Sequence, residues 1–208
     1  VIDRLTVTNN ESGFNGGGLF IHYDKTAGSE KVVITNATIS DNKTNTQGGG
    51  VRIADASPVF KNVSFLNNSC SSYGGGITTG ERSPVFINVL IAGNSAKYGG
   101  GMEVGGTSSI INSTVSGNKA TTWGGGIYNT SGSPVYRNSI IWGNTGPYGE
   151  IYNFRASQPE YRYTLIKNCR VSGTKWNTAY GNDGGNNLDA DPLFTDLAGQ
   201  DFRVLPYS

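Results

Sequence analysis

Tyr73-Gly74-Gly75-Gly76-Ile77 returns as Tyr98-Gly99-Gly100-Gly101-Met102 and again as Trp123-Gly124-Gly125-Gly126-Ile127. Two earlier triplets begin at Gly16 and Gly48, so the intervals are 32, 26, 25 and 25, and a degenerate copy, Gly-Pro-Tyr-Gly-Glu, occupies 146–150. An apolar residue follows each copy: Leu19, Val51, Ile77, Met102, Ile127 and Ile151. Repetition at this period makes the architecture a repeat array before any motif is read.

Two asparagine series keep the same beat. One runs Asn36, Asn62, Asn88, Asn112, Asn138; the other Asn10, Asn42, Asn68, Asn94, Asn118, Asn144, with Asn168 as its expected last member. Between them lies an apolar column, Ile39, Phe65, Ile91, Val115, Ile141, and upstream of the first series another, Val33, Val59, Val85, Ile110, Val135. Each period therefore holds three short apolar segments separated by three polar corners. No segment is long enough for a helix, whereas each could pair as a strand with its copy one lap away, about 4.8 Å distant. Asparagine suits such corners because it tolerates left-handed backbone and its amide both donates and accepts. The expected fold is all-β: a single-stranded right-handed parallel β-helix of about seven coils of about 25 residues, with three short strands per coil. Residues 1–169 form the coils. Residues 170–208, where regular spacing is lost, form an irregular segment of the same domain that caps the C-terminal end, since an uncovered solenoid end leaves strand edges unpaired.

Composition agrees. Glycine is the most conspicuous residue type, at 31 of 208, while only 15% of residues are charged and the net charge is +1. That balance argues against a nucleic-acid surface, and no apolar run is long enough to span a membrane. The incomplete first repeat predicts a fragment of a larger protein.

Gly-Gly-Gly-Ile at 74–77 and 124–127, with Phe65-x-x-Asn68, resembles the short repeats of polymorphic outer-membrane proteins of bacteria. The passage Tyr163-Thr164-Leu165-Ile166, then Gly185-Asn186-Asn187-Leu188-Asp189-Ala190-Asp191-Pro192-Leu193-Phe194 and Asp201-Phe202-Arg203-Val204, resembles secreted bacterial β-helix proteins that carry a separate anchor. The resemblance implies a secreted or cell-surface, outer-membrane setting in a bacterium. It does not choose among adhesins, surface coats and carbohydrate-active enzymes, because fold does not fix function. Asparagine sequons at Asn36, Asn62 and Asn112, read as parts of an internal ladder, leave no room for a glycan and fit the same setting.

Candidate residues fall into four groups. Strand alternation puts Phe20, Arg52, Thr78, Glu103, Tyr128 and Tyr152 on the outer face after the triplets. Glycoside hydrolysis needs two carboxylates flanking a bond, yet Glu103 has no carboxylate partner in this column, and Arg52 lies two coils away, about 10 Å by strand spacing. Arg52 and Glu103 are therefore the only catalytic candidates, and scattered surface charge is the favoured account of them. An aromatic column before the triplets, Tyr73, Tyr98, Trp123, Tyr148, should stack at strand separation, either stiffening the corner or offering rings to a sugar. A six-residue insertion between Leu19 and Val33 gathers His22, Tyr23 and Asp24 in a corner loop, the kind of place where ligand contacts arise. Asp189 and Asp191 read as turn-formers before Pro192 rather than calcium ligands, so no cofactor is expected. Cys70 and Cys169 sit about 19 Å apart along the axis, too far for a disulfide. The residues favour a non-catalytic, adhesin-like or glycan-contacting surface module, whose partner is a polysaccharide or host cell-surface glycan. The alternative is a polysaccharide lyase or glycoside hydrolase.

Overall fold

The computed structural model describes residues 1–22, 31–155, 157–169 and 172–204. It is a parallel β-solenoid whose laps pair in register. One wall is a six-stranded sheet, here the glycine sheet, made of Leu19–His22, Val51–Ala54, Ile77–Thr78, Met102–Val104, Ile127–Asn129 and Ile151–Asn153. A second, five-stranded wall holds Glu11–Ser12, Lys43–Thr44, Ser69–Cys70, Ser95–Tyr98 and Lys119–Trp123. The remaining wall is bent: Val33–Ser40 and Val59–Leu66 run unbroken through the corner that later laps divide into two strands, and so join both columns in one thirteen-stranded sheet. The glycine sheet counts about six turns rather than the seven expected. Residues 160–166 begin another lap, pairing Glu160 with Val135 and Leu165 with Ile140, but add no strand to the glycine sheet. A 3-10 turn, Thr178–Tyr180, is the one helical element among the described residues.

Stacking of like on like is what fills the interior. Ile39, Phe65, Ile91, Val115 and Ile141 are all fully buried, as the sequence predicts, and Ile166 extends the column by one lap. The upstream column is displaced by one residue from expectation. Val33, Val59 and Val85 pair with Ser109 and Val135 and are only half-buried. The core is formed instead by their successors Ile34, Phe60, Phe86, Ile110, Tyr136 and Tyr161. Alternation decides this: the residue after each valine points inward, and Ile110 belongs with Phe86, not with Val85.

The two asparagine series have opposite roles. Asn36, Asn62, Asn88, Asn112 and Asn138 hold φ between 49° and 56° and lie exposed at an outer corner, where Asn62 Nδ2 donates to Asn36 Oδ1 at 3.0 Å. The sequons at Asn36, Asn62 and Asn112 are thus outside the coil, and their supposed burial carries no weight for the source. The internal ladder is the second series. From Asn42 to Asn144 each carboxamide oxygen accepts from both the backbone N–H and the Nδ2 of the asparagine one lap earlier; for Asn94 the donors are Asn68 N at 2.9 Å and Asn68 Nδ2 at 3.0 Å. The second Nδ2 hydrogen goes to a strand carbonyl, Phe65 O in the case of Asn94 at 2.9 Å. Every polar atom of these buried amides is thereby satisfied.

Asn168 is not the final rung; it is exposed. Glu150, the residue aligned with the third glycine of the preceding lap, takes that place. Its carboxylate accepts from Gly143 N at 2.8 Å, Asn144 N at 3.0 Å and Asn144 Nδ2 at 2.7 Å.

One triplet explains the glycines. Gly99 has φ +61°, a left-handed turn that also passes close to Met102 O. Gly100 lies under the neighbouring lap, so that a Cβ there would meet Gly125 O at 2.3 Å and Lys119 C at 2.4 Å. Gly101 faces the ladder, with Asn118 Cγ at 3.0 Å from where a Cβ would stand. Conformation, backbone approach and side-chain packing each demand one position.

The C-terminal segment does two things. Asn182 pairs with Glu160, and Trp176 and Tyr180 pack against the core at that end. Beyond it, the antiparallel hairpin Phe194–Asp196 and Asp201–Val204 lies along the side of the coil rather than over its end. Phe202 lies over Gly117, Leu197 over Gly143, and Gln200 Nε2 donates to Asn67 Oδ1 at 3.2 Å.

Candidate functional site

The outer face of the glycine sheet is the part of the surface with chemistry on it. Alternation places Met102 and Val104 inward and Glu103 outward, yet Glu103 is 8% exposed, Thr78 2% and Tyr128 3%. The outward column is covered because rings from the preceding corner fold over it. Tyr73 and Tyr98 stack with centroids 4.9 Å apart, Tyr98 and Trp123 are 5.1 Å apart, and Trp123 and Tyr152 stack at 5.1 Å with planes 10° apart. Tyr128 is the hub, within about 6 Å of each of Tyr73, Tyr98, Trp123, Tyr152 and Phe154. The column expected from sequence is present over three members. The fourth is replaced: Tyr152 continues the stack, while Tyr148 touches Tyr152 only edge-on at 6.0 Å and is 63% exposed. The degenerate repeat, with Pro147 before Tyr148, gives that ring a different starting direction.

Glu103 stands beside this wall. Thr130 Oγ1 donates to its Oε1 at 2.6 Å, whereas Oε2 is buried with no hydrogen-bond partner. Burial pushes the carboxyl up to about 7, with the Thr130 hydrogen bond and the Arg52 charge opposing. Arg52 is half-buried; Nη1 donates to Ile53 O at 2.6 Å, and Nε is buried without a partner. Burial lowers the Arg52 pKa, and Glu103 and Asp55 partly restore it. Tyr128 is raised to about 12, by burial first and by Tyr73 and Glu103 next. Thr130 and Tyr128 were not singled out from sequence as partners of Glu103; the signal was their place one lap on, at the spacing of Glu103 and Gly105.

The charge on Glu103 is costly, which sets a pH dependence. Its unfolded carboxyl titrates near 4.5 and its folded one near 7, so the folded state binds the proton more tightly. The resulting stabilisation is full below 4.5 and disappears as pH rises through 7. The groups facing it are Thr130, Arg52, the Thr79 backbone N–H, Tyr128 and Tyr136. Glu103→Gln is therefore expected to stabilise the protein at pH 8 by up to about 3 kcal/mol, with the gain vanishing near pH 4. Urea midpoints of both proteins across that range check it.

The other predicted residues lie apart from this cluster. His22 is exposed, its ring edge-on to Phe20 at 6.0 Å, while Tyr23 and Asp24 lie outside the described residues. Asp189 Oδ1 accepts from Asn168 N, 21 residues earlier in the chain, and Asp191 Oδ1 accepts from Leu193 N within a turn, both at 2.9 Å. Among the described residues no group of three His, Cys, Asp or Glu is placed to hold a metal ion. Cys70 and Cys169 are buried and not joined by a disulfide, and no helix is long and apolar enough to cross a membrane.

Comparison with known families finds the Chlamydia polymorphic membrane protein (Chlamydia_PMP) repeat at residues 62–80 and 112–130. Each stretch starts at an outer-corner asparagine and runs through a core residue, a ladder asparagine, an aromatic and a glycine triplet. The similarity is therefore to the parts that build a lap. No curated protein and no solved structure matches the chain.

Proposed function

We propose that the chain is a non-catalytic, adhesin-like module of a secreted or cell-surface bacterial protein, and that it contacts glycan through the outside of the glycine sheet. The observation that carries this reading is the aromatic cluster centred on Tyr128, assembled on the solvent side of a sheet whose core is already filled from within. Around the buried Tyr128, the rings of Tyr73, Tyr98, Trp123 and Tyr152 are partly exposed, and Tyr148 is 63% exposed. A row of partly exposed aromatic side chains suits a polyhydroxylated chain lying along the axis. The polymorphic membrane protein repeat supports the surface setting.

A glycan array tests it. The native protein is expected to retain a defined set of glycans. Tyr148→Ala, at an exposed position, should weaken their retention, and the Tyr98→Ala/Trp123→Ala double variant, verified as folded by circular dichroism, should abolish it. Undiminished binding by both variants would remove the cluster from the contact. A second reading draws on Glu103: a carboxyl titrating near 7 is what a general acid for glycoside cleavage requires. Turnover of a polysaccharide, lost in Glu103→Gln, would replace the adhesive reading with an enzymatic one.

A further inference from the structure

The C-terminal hairpin is closed on itself and docked lightly on the coil. Phe194 pairs with Val204 and Asp196 with Asp201, the Phe194 and Phe202 rings meet edge-on at 5.4 Å, and Thr195 Oγ1 donates to Arg203 O at 3.1 Å. It reaches the coil through Leu197 at Gly143, Phe202 at Gly117, and Gln200 at Gly93 and Asn67. Leu197 is still 38% exposed. The trough beneath fits it. The same corner carries Asn9, Asp41 and Asn67 in left-handed turns over the first laps, so the turn alone does not call for glycine; under the hairpin the residue becomes Gly93, Gly117 and Gly143. Ala92 and Ser116, outward by alternation beside these glycines, are fully buried.

The link between coil and hairpin is strained. Leu193, immediately before the first hairpin strand, holds φ 51°, a left-handed conformation that is unfavourable for any residue with a Cβ and an outlier for a bulky one. Pro192 confines Asp191 to extended backbone, so the reversal cannot move back onto that residue. Ala190, Asp191 and Leu193 are exposed, which leaves the link room to straighten.

We propose that two copies of this chain exchange their hairpins: with Leu193 extended, residues 194–204 of each copy dock in the Gly93–Gly117–Gly143 trough of the other. Each trough then keeps the contacts it has in the single chain, and the strained turn disappears from both links. An isolated two-stranded hairpin is marginal in water, so a released hairpin is stable only in a trough, its own or its partner's. The freedom lost on association opposes exchange, which makes the dimer depend on concentration. This inference is independent of the glycan-contacting reading.

The test unfolds the whole chain in urea, refolds it over a series of protein concentrations, and reads size by chromatography with light scattering. The native chain is expected to divide between monomer and dimer, with the dimer share rising with concentration. Leu193→Gly accepts the left-handed turn freely, so it should lower the dimerisation constant about fivefold for each link, about 25-fold for the dimer. Leu193→Pro cannot take a positive φ and is expected to be almost wholly dimeric. Oxidation of an isolated dimer of the Asn67→Cys/Gln200→Cys variant identifies the arrangement, because exchange links the two chains covalently. Cross-links confined within single chains of that dimer would overturn the proposal. So would a native chain and a Leu193→Pro chain that both stay monomeric at every concentration, or a Leu193→Gly chain that dimerises as strongly as the native one.

Discussion

Gly100→Ala is expected to cost at least about 4 kcal/mol, the range reserved for unrelievable clashes in a core, and to leave little folded protein. The added Cβ would lie 2.3 Å from Gly125 O and 2.4 Å from both C and O of Lys119. All three are backbone atoms of the next lap, Lys119 in a paired strand and Gly125 in the corner between two, so no rotamer change makes room. Relief requires two laps to separate, and that breaks the ladder on each side. Gly13→Ala is the matched control, because nothing lies within 4 Å of a Cβ at that position. It should be neutral, or slightly stabilising through the smaller entropy of the unfolded chain. Circular dichroism of both variants and their urea midpoints decide the matter; a folded Gly100→Ala protein of native stability would refute the assigned approach of the laps.

Asn94→Ala comes next in size. It removes the acceptor of two buried donors, Asn68 N and Asn68 Nδ2, and the donor to Phe65 O. At about 1–3 kcal/mol for each stranded group, the loss is about 4 kcal/mol. The informative comparison is Asn88→Gly. Asn88 belongs to the exposed series, holds φ 53° and donates to Asn62 Oδ1 at 3.2 Å in contact with water. Glycine accepts that backbone freely, and water replaces the lost bond, so a change below about 0.5 kcal/mol is expected. Equal effects at the two positions would contradict the assignment of one series to the interior and the other to the outer corner.

That assignment marks the boundary of what could be read from the residues alone. Period, strand number per lap and the Ile39–Phe65–Ile91 column follow from spacing, because stacking in register preserves spacing. Spacing is silent on direction, however, and both asparagine series share one period. The distinguishing feature is local. Asn42, Asn68, Asn94, Asn118 and Asn144 each follow a residue in left-handed conformation, namely Asp41, Asn67, Gly93, Gly117 and Gly143, and that turn swings the next side chain inward. The residues of the exposed series are themselves the left-handed ones. Val85 and Ile110 illustrate a related miss, since laps of unequal length shift a column by one position. For Glu103 the alternation was legible and the burial was not. Its cover comes from Tyr128 one lap on and from rings that turn back from another corner, and no window along the chain joins them.

The asparagine ladder has an arrow. Every Nδ2 from Asn10 to Asn118 points toward the next lap, so the amide dipoles add head to tail, as peptide units do in a helix. The positive end falls at Asn144, and an anion, Glu150, meets it there. A neutral glutamine at 150 would have to orient its oxygen correctly and would leave the polarity unanswered. An inserted copy of residues 95–118, one lap with a single ladder asparagine, by contrast brings a donor and an acceptor of the right sense to each junction. Length is thus free to vary along this vector, while its terminus must carry a lone-pair donor with no hydrogen of its own.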